Sequence, residues 1–150
     1  MVIYKILIFI HIFSAILGMG PGFILTRIAK SAKTMTELRQ AYGIRRDLHF
    51  FVMIGGTLLL VTGLLMGALN PSLFQMGWYL TSLILFFIGL AMGPLVLSRK
   101  SKPIKELLES YKEEKIPEEY YRLSKELFRY ENVENAIFLV IIVLMILKPF

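Results

Sequence analysis

The chain has 150 residues, 56% of them hydrophobic, with a mean hydropathy of +0.64. Water-soluble domains are about 45–50% apolar, so an ordinary soluble fold is excluded. The net charge of +6 invites a nucleic-acid partner, but the bases are segregated in the way a membrane demands, and the absence of cysteine excludes disulfides and thiolate metal sites.

The first apolar run covers residues 3–28, long enough to cross a hydrocarbon core of roughly 30 Å. Lys5 gives it a weak charged flank, but the run outlasts a signal-peptide core and no small-residue cleavage site follows, so it reads as a retained span. His11 lies roughly 12 Å from the outer edge of this span. An imidazole buried there needs partners, and Thr62 and Ser82 are the polar residues nearest its depth. Three roles stay open for His11: a hydrogen-bonded packing residue, a haem or metal ligand, or a proton relay. The inner end carries GMGPG over 18–22, with Pro21 unable to donate to the carbonyl of Leu17.

Between the first two spans, 29–47 holds a possible capping box, Thr34 with Glu37, opening a short helix that Gly43 can end. The second run is 48–69, with Gly63 and Gly67 one turn apart. His49 and Arg46 sit at its inner edge. His11 and His49 differ in depth by roughly 18 Å, too far for one iron to take both as axial ligands.

After the base-free loop NPSLFQMG comes the third run, 77–98, in which Met92-Gly93-Pro94 repeats Met19-Gly20-Pro21. Both copies precede a small polar residue and then bases, as in LTRIAK and LSRKSK. The chain therefore reads as two helical hairpins, 1–69 and 77–148, in the same orientation: a parallel repeat about an axis along the membrane normal. Small residues let helices approach closely in lipid. Gly18 with Gly22 and Gly89 with Gly93 lie at matching depth, which predicts that helices one and three cross there. Gly20, Pro21, Gly22, Gly63, Gly67, Gly93 and Pro94 complete the expected packing set.

The segment 99–130 is amphipathic. Pro103 opens a helix with Ile104, Leu107, Leu108 and Tyr111 on one face, and Pro117 opens a second that runs unbroken to about 147. Its uncharged part, Ala136–Leu147, is about 18 Å long, so the fourth span, 131–147, must take in Glu131, Glu134 and Asn135. An ionisable group there faces the bundle with a partner, Arg46 or His49 being nearest, or the bilayer thins around it.

All the bases except Lys5 and Lys148 fall in 27–46 and 99–129. The positive-inside rule makes 29–47 and 99–130 cytoplasmic and puts both termini outside a plasma membrane, with Tyr4, Trp78 and Tyr79 at the outer interface. The fold class is thus all-α: a polytopic four-helix membrane bundle of two parallel-repeat hairpins with short cytoplasmic helices. Its partners are the bilayer, anionic lipid at the basic face, and either further copies or a larger membrane complex, not nucleic acid.

His11 in the first helix, with the glycines Gly18 and Gly20 and the Gly20-Pro21-Gly22 sequence, resembles a family of uncharacterised integral membrane proteins of about this length. That resemblance implies fold and topology without an activity. More remotely it is similar to copper-resistance-D and protoporphyrinogen-oxidase type bundles, which implies a haem link through His11. This chain lacks a second histidine at that depth, and its scattered methionines suit packing. No phosphate-binding loop, zinc-protease motif or nucleophile elbow appears, so no catalytic or metal-ligating residue is assigned. Three functions remain: a non-catalytic accessory, assembly or scaffold subunit; a haem-associated redox protein using His11; or a conductor of protons or small solutes using Glu134.

Overall fold

The computed structural model describes residues 2–150, of which 88% are helical with no strand. Helix α1 spans Val2–Met19 and α2 Gly22–Lys30. Helix α3 runs unbroken over Met35–Leu69, and a 3₁₀ turn, Pro71–Gln75, leads into α4, Gly77–Met92. A π-helical turn over Gly93–Leu97 joins α4 to α5, Ser98–Ser110, and α6 covers Glu118–Leu147. Four helical stretches are long and apolar enough to cross a bilayer: 2–30, 35–69, 77–110 and 118–147. Those built on α3 and α6 are about 52 and 45 Å long, so each outruns a 30 Å hydrocarbon core.

The extra length builds a second storey at the basic end. There Ala29, Met35, Leu38, Ile104, Leu108, Ile116, Tyr120, Leu127 and Phe128 form a continuous buried core. Thr34 caps α3 by accepting from the Glu37 amide (3.2 Å), while the Glu37 carboxylate accepts from the Lys33 amide (2.7 Å). The 111–117 loop is sewn to this start: the Met35 amide donates to the Glu114 carbonyl (2.9 Å) and the Thr36 hydroxyl to the Glu114 carboxylate (2.7 Å). Arg39 closes the end of α5, donating to the carbonyls of Leu108 and Tyr111.

In the membrane storey α1 packs along α3 and α4 along α6. The expected crossing of helices one and three at their glycines does not occur. Gly18 instead meets Gly55 and Gly56 of α3, so close that a Cβ on Gly18 would lie 2.7 Å from the Gly56 nitrogen. Gly89 makes room for the ring of Phe138 on α6. Gly18 and Gly89 thus serve pairing within each hairpin, α1 on α3 and α4 on α6. Met19, Leu59, Phe86, Phe138 and Ile141 then join the two hairpins in a smaller core.

Three local expectations are also corrected. Gly43 does not end a helix; α3 passes through it, the apolar face on either side remaining in register. Pro103 lies inside α5 and does not open it, since the helix has already restarted at Ser98 below the π turn. Tyr79 is 4% exposed and donates its hydroxyl to the Gly63 carbonyl (3.0 Å), so it belongs to the interior and not to the interfacial belt.

Candidate functional site

Two polar sites lie within the apolar storey. The first is at the junction with the basic-end core. Arg45 and Glu131 are 9% and 7% exposed and form a buried ion pair. The carboxylate also accepts from the Thr26 hydroxyl (2.7 Å), and Arg45 donates to the Leu25 carbonyl (2.5 Å). The guanidinium is flanked by the rings of Tyr42 (5.0 Å to the centroid) and Phe128 (5.8 Å). One turn on, Asn135 donates to the Gly22 carbonyl (3.1 Å), and Gly22 is what leaves it room. These contacts tie α2, α3 and α6 together at one level.

The proposed pairing of Glu131 with Arg46 or His49 is therefore corrected. Arg46 points to the surface beside Asp47 (3.6 Å), and His49 is exposed. Successive helical residues diverge by about 100°, so one position decides which arginine enters the bundle. The signal was present: Arg45 continues the buried stripe of Leu38 and Ala41 below it and Gly55, Leu59 and Thr62 above. Glu134 is half-buried, with no hydrogen-bond or ion-pair partner among the described residues.

The second site is a cavity of about 510 Å³ in the base-poor half of the bundle. His11 and Met19 of α1, Leu59 of α3, Ser82 and Phe86 of α4 and Ile141 of α6 wall it. His11 Nδ1 lies 2.8 Å from the Thr62 hydroxyl, which fulfils the depth match between them. His11 and Gly18 are seven residues apart on α1, and their partners Thr62 and Gly55 are seven apart on α3. One antiparallel register explains both contacts. Gly63 accommodates the imidazole, since a Cβ there would sit 3.3 Å from Cε1, and Gly67 does the same for Tyr79 and Phe74. Ser82 does not bond to His11; its hydroxyl is buried without a partner.

The two Met-Gly-Pro copies diverge. At the first, the α-helical pattern is interrupted over Gly20 and Pro21: the Gly20 amide still bonds to the Ile16 carbonyl (3.0 Å), the Phe23 and Ile24 amides reach back only three residues, and α2 resumes at Gly22. A Cβ on Gly20 would press on that carbonyl oxygen at 2.5 Å, so glycine permits the break. At the second, Pro94 is absorbed by the π turn, and a Cβ on Gly93 would touch nothing within 4 Å.

No group of three or more potential metal ligands occurs among the described residues. The residues walling the cavity include one imidazole but no lysine or arginine to meet a porphyrin's propionates, so they suit an apolar guest better than a haem. Residues 5–149 match the model of a family described as predicted integral membrane protein (DUF2269). No curated protein and no solved structure matches the chain, so the remoter likeness to copper-resistance-D bundles finds no support.

Proposed function

The chain belongs to this family of predicted integral membrane proteins, DUF2269, and from that premise we propose that it is a non-catalytic accessory or scaffold protein of the plasma membrane, with its basic storey and both connecting segments in the cytoplasm. The observation that carries the reading is the folded basic-end core, which is built from three separate segments and anchored to the bundle through Arg45 and Glu131. A connector would need neither a core nor a buried ion pair. A rigid platform held at fixed height above the lipid needs both. Its surface presents Tyr121 at 52% exposure among the charges of α6, an aromatic of the kind that anchors protein contacts. The basic residues around it suit anionic lipid headgroups or an acidic partner.

A photo-crosslinking amino acid at Tyr121, irradiated in native membranes, should give one discrete heavier adduct, from a partner protein or a second copy. The same probe at lipid-facing Phe9 should give none. Absence of any discrete adduct at Tyr121 would remove the scaffold reading. A conductor reading draws on Glu134, half-buried and unpaired. Liposome flux that disappears in Glu134→Gln would favour it instead.

A further inference from the structure

We infer that the cavity beside His11 is a binding site for a neutral apolar lipid that carries a hydroxyl group, held by the Nε2 atom of His11 and the hydroxyl of Ser82.

The first support is the tautomer of His11. The Thr62 hydroxyl lies 2.7 Å from the Leu58 carbonyl and donates to it. A threonine has one proton to give, so towards His11 its oxygen accepts, and Nδ1 is the donor. The lone pair of the neutral imidazole is then on Nε2, which has no hydrogen-bond partner among the described residues. His11 lines the cavity.

The second support is Ser82. A hydroxyl in an apolar helix ordinarily donates to the carbonyl four residues earlier. Ser14 does so to Ile10 (2.6 Å), Thr57 to Met53 (2.8 Å) and Thr62 to Leu58. Ser82 is 1% exposed, lines the same cavity and makes no such bond. An unpaired hydroxyl in hydrocarbon is costly, and turning this one towards the cavity would let a ligand satisfy it.

The third is the shape and entrance. A volume of about 510 Å³ is that of a ligand pocket, far above the roughly 30 Å³ share of one water, and a cavity with walls this apolar does not hold water stably. Ile12 and Ile16 on α1 and Ile146 on α6 line it while remaining 57%, 67% and 71% exposed. It therefore opens sideways, between α1 and α6, towards the lipid. The plain acyl chain of a phospholipid could enter but would leave Nε2 and the serine unsatisfied. A hydroxyl answers both: its O–H donates to Nε2 and its oxygen accepts from Ser82.

Native mass spectrometry of the purified chain in detergent, with geranylgeraniol and geranylgeranyl methyl ether as probes, tests this. The ether keeps the acceptor and loses the donor. One molecule of the alcohol should bind, about tenfold more tightly than the ether, the difference expected for one hydrogen bond. Ser82→Ala should weaken both probes several-fold without lowering the melting temperature of the unliganded protein, because its hydroxyl bonds nothing there and its burial is a cost. Ala15→Trp, which fills the cavity, should abolish both. Equal affinity for the two probes, indifference of both to Ser82→Ala, or binding that survives Ala15→Trp would overturn the assignment. So would a Soret absorbance in the purified protein that is lost in His11→Ala, which would make the guest a haem.

Discussion

At the scale of residues, the ion pair of Arg45 and Glu131 is the most exacting feature. Both side chains have left water, and their attraction offsets that loss only while both are present. Glu131→Gln should destabilise the protein by about 3–5 kcal/mol, because a buried guanidinium is left without its counter-charge. The double variant Arg45→Met with Glu131→Leu should recover most of that. Thermal unfolding in detergent reads both, and a double variant as unstable as the single one would contradict the argument. His11 and Thr62 were legible in the sequence because depth along two antiparallel spans is a one-dimensional count. Arg45 is not distinguished from Arg46 in the sequence, because choosing between them requires the rotation of α3, and that is set by the apolar stripe of a 35-residue helix that runs well beyond the apolar span 48–69. Gly55 carries no signal of its own in the sequence for a similar reason: its partner is fixed by the register of α1 on α3, not by glycine spacing along either helix.

At the scale of elements, the same residue type has opposite consequences. Gly43 lies inside α3 with nothing within 4 Å of an added Cβ, whereas Gly18 faces the backbone of Gly55 and Gly56. Alanine is favoured over glycine in a helix interior by about 0.8–1.0 kcal/mol. Gly43→Ala should therefore raise stability by somewhat less than that, and Gly18→Ala should lower it by about 1–3 kcal/mol through overpacking. Paired thermal melts check the two signs; the reading fails if both variants shift the same way. The length of α6 could be read directly, since nothing between Pro117 and Pro149 breaks it. The fates of the two prolines could not. A proline within an apolar run announces a lost hydrogen bond, but whether the helix tightens into a turn, as at Pro21, or widens into a π turn, as at Pro94, is not written in the run itself.

At the scale of the whole molecule, the four membrane-length helices follow from hydropathy, while their pairing and the folded basic-end storey are tertiary facts. Tyr42 and Tyr120 report on that storey. Their rings meet edge to face at 6.2 Å with hydroxyls 3.4 Å apart, and burial pushes the phenol of each above its ordinary value of 10.0. Because the folded form holds these protons more tightly than the unfolded chain, stability is full below about pH 10 and falls as pH rises beyond it. Near-ultraviolet circular dichroism followed from pH 8 to 12 should show the storey melting in that upper range. Tyr42→Phe should shift the loss to higher pH. Unfolding that is complete at pH 8 would contradict the sign.

Helix α6 belongs to both storeys at once: Tyr120 and Phe128 lie in one core, Phe138 and Ile141 in the other, with no break between them. From Ile141 to Tyr121 is about 30 Å of continuous helix. Such a strut has no joint at which the two storeys could move apart, so the height of the tyrosine over the lipid is set by how Phe138 and Ile141 seat in the bundle below.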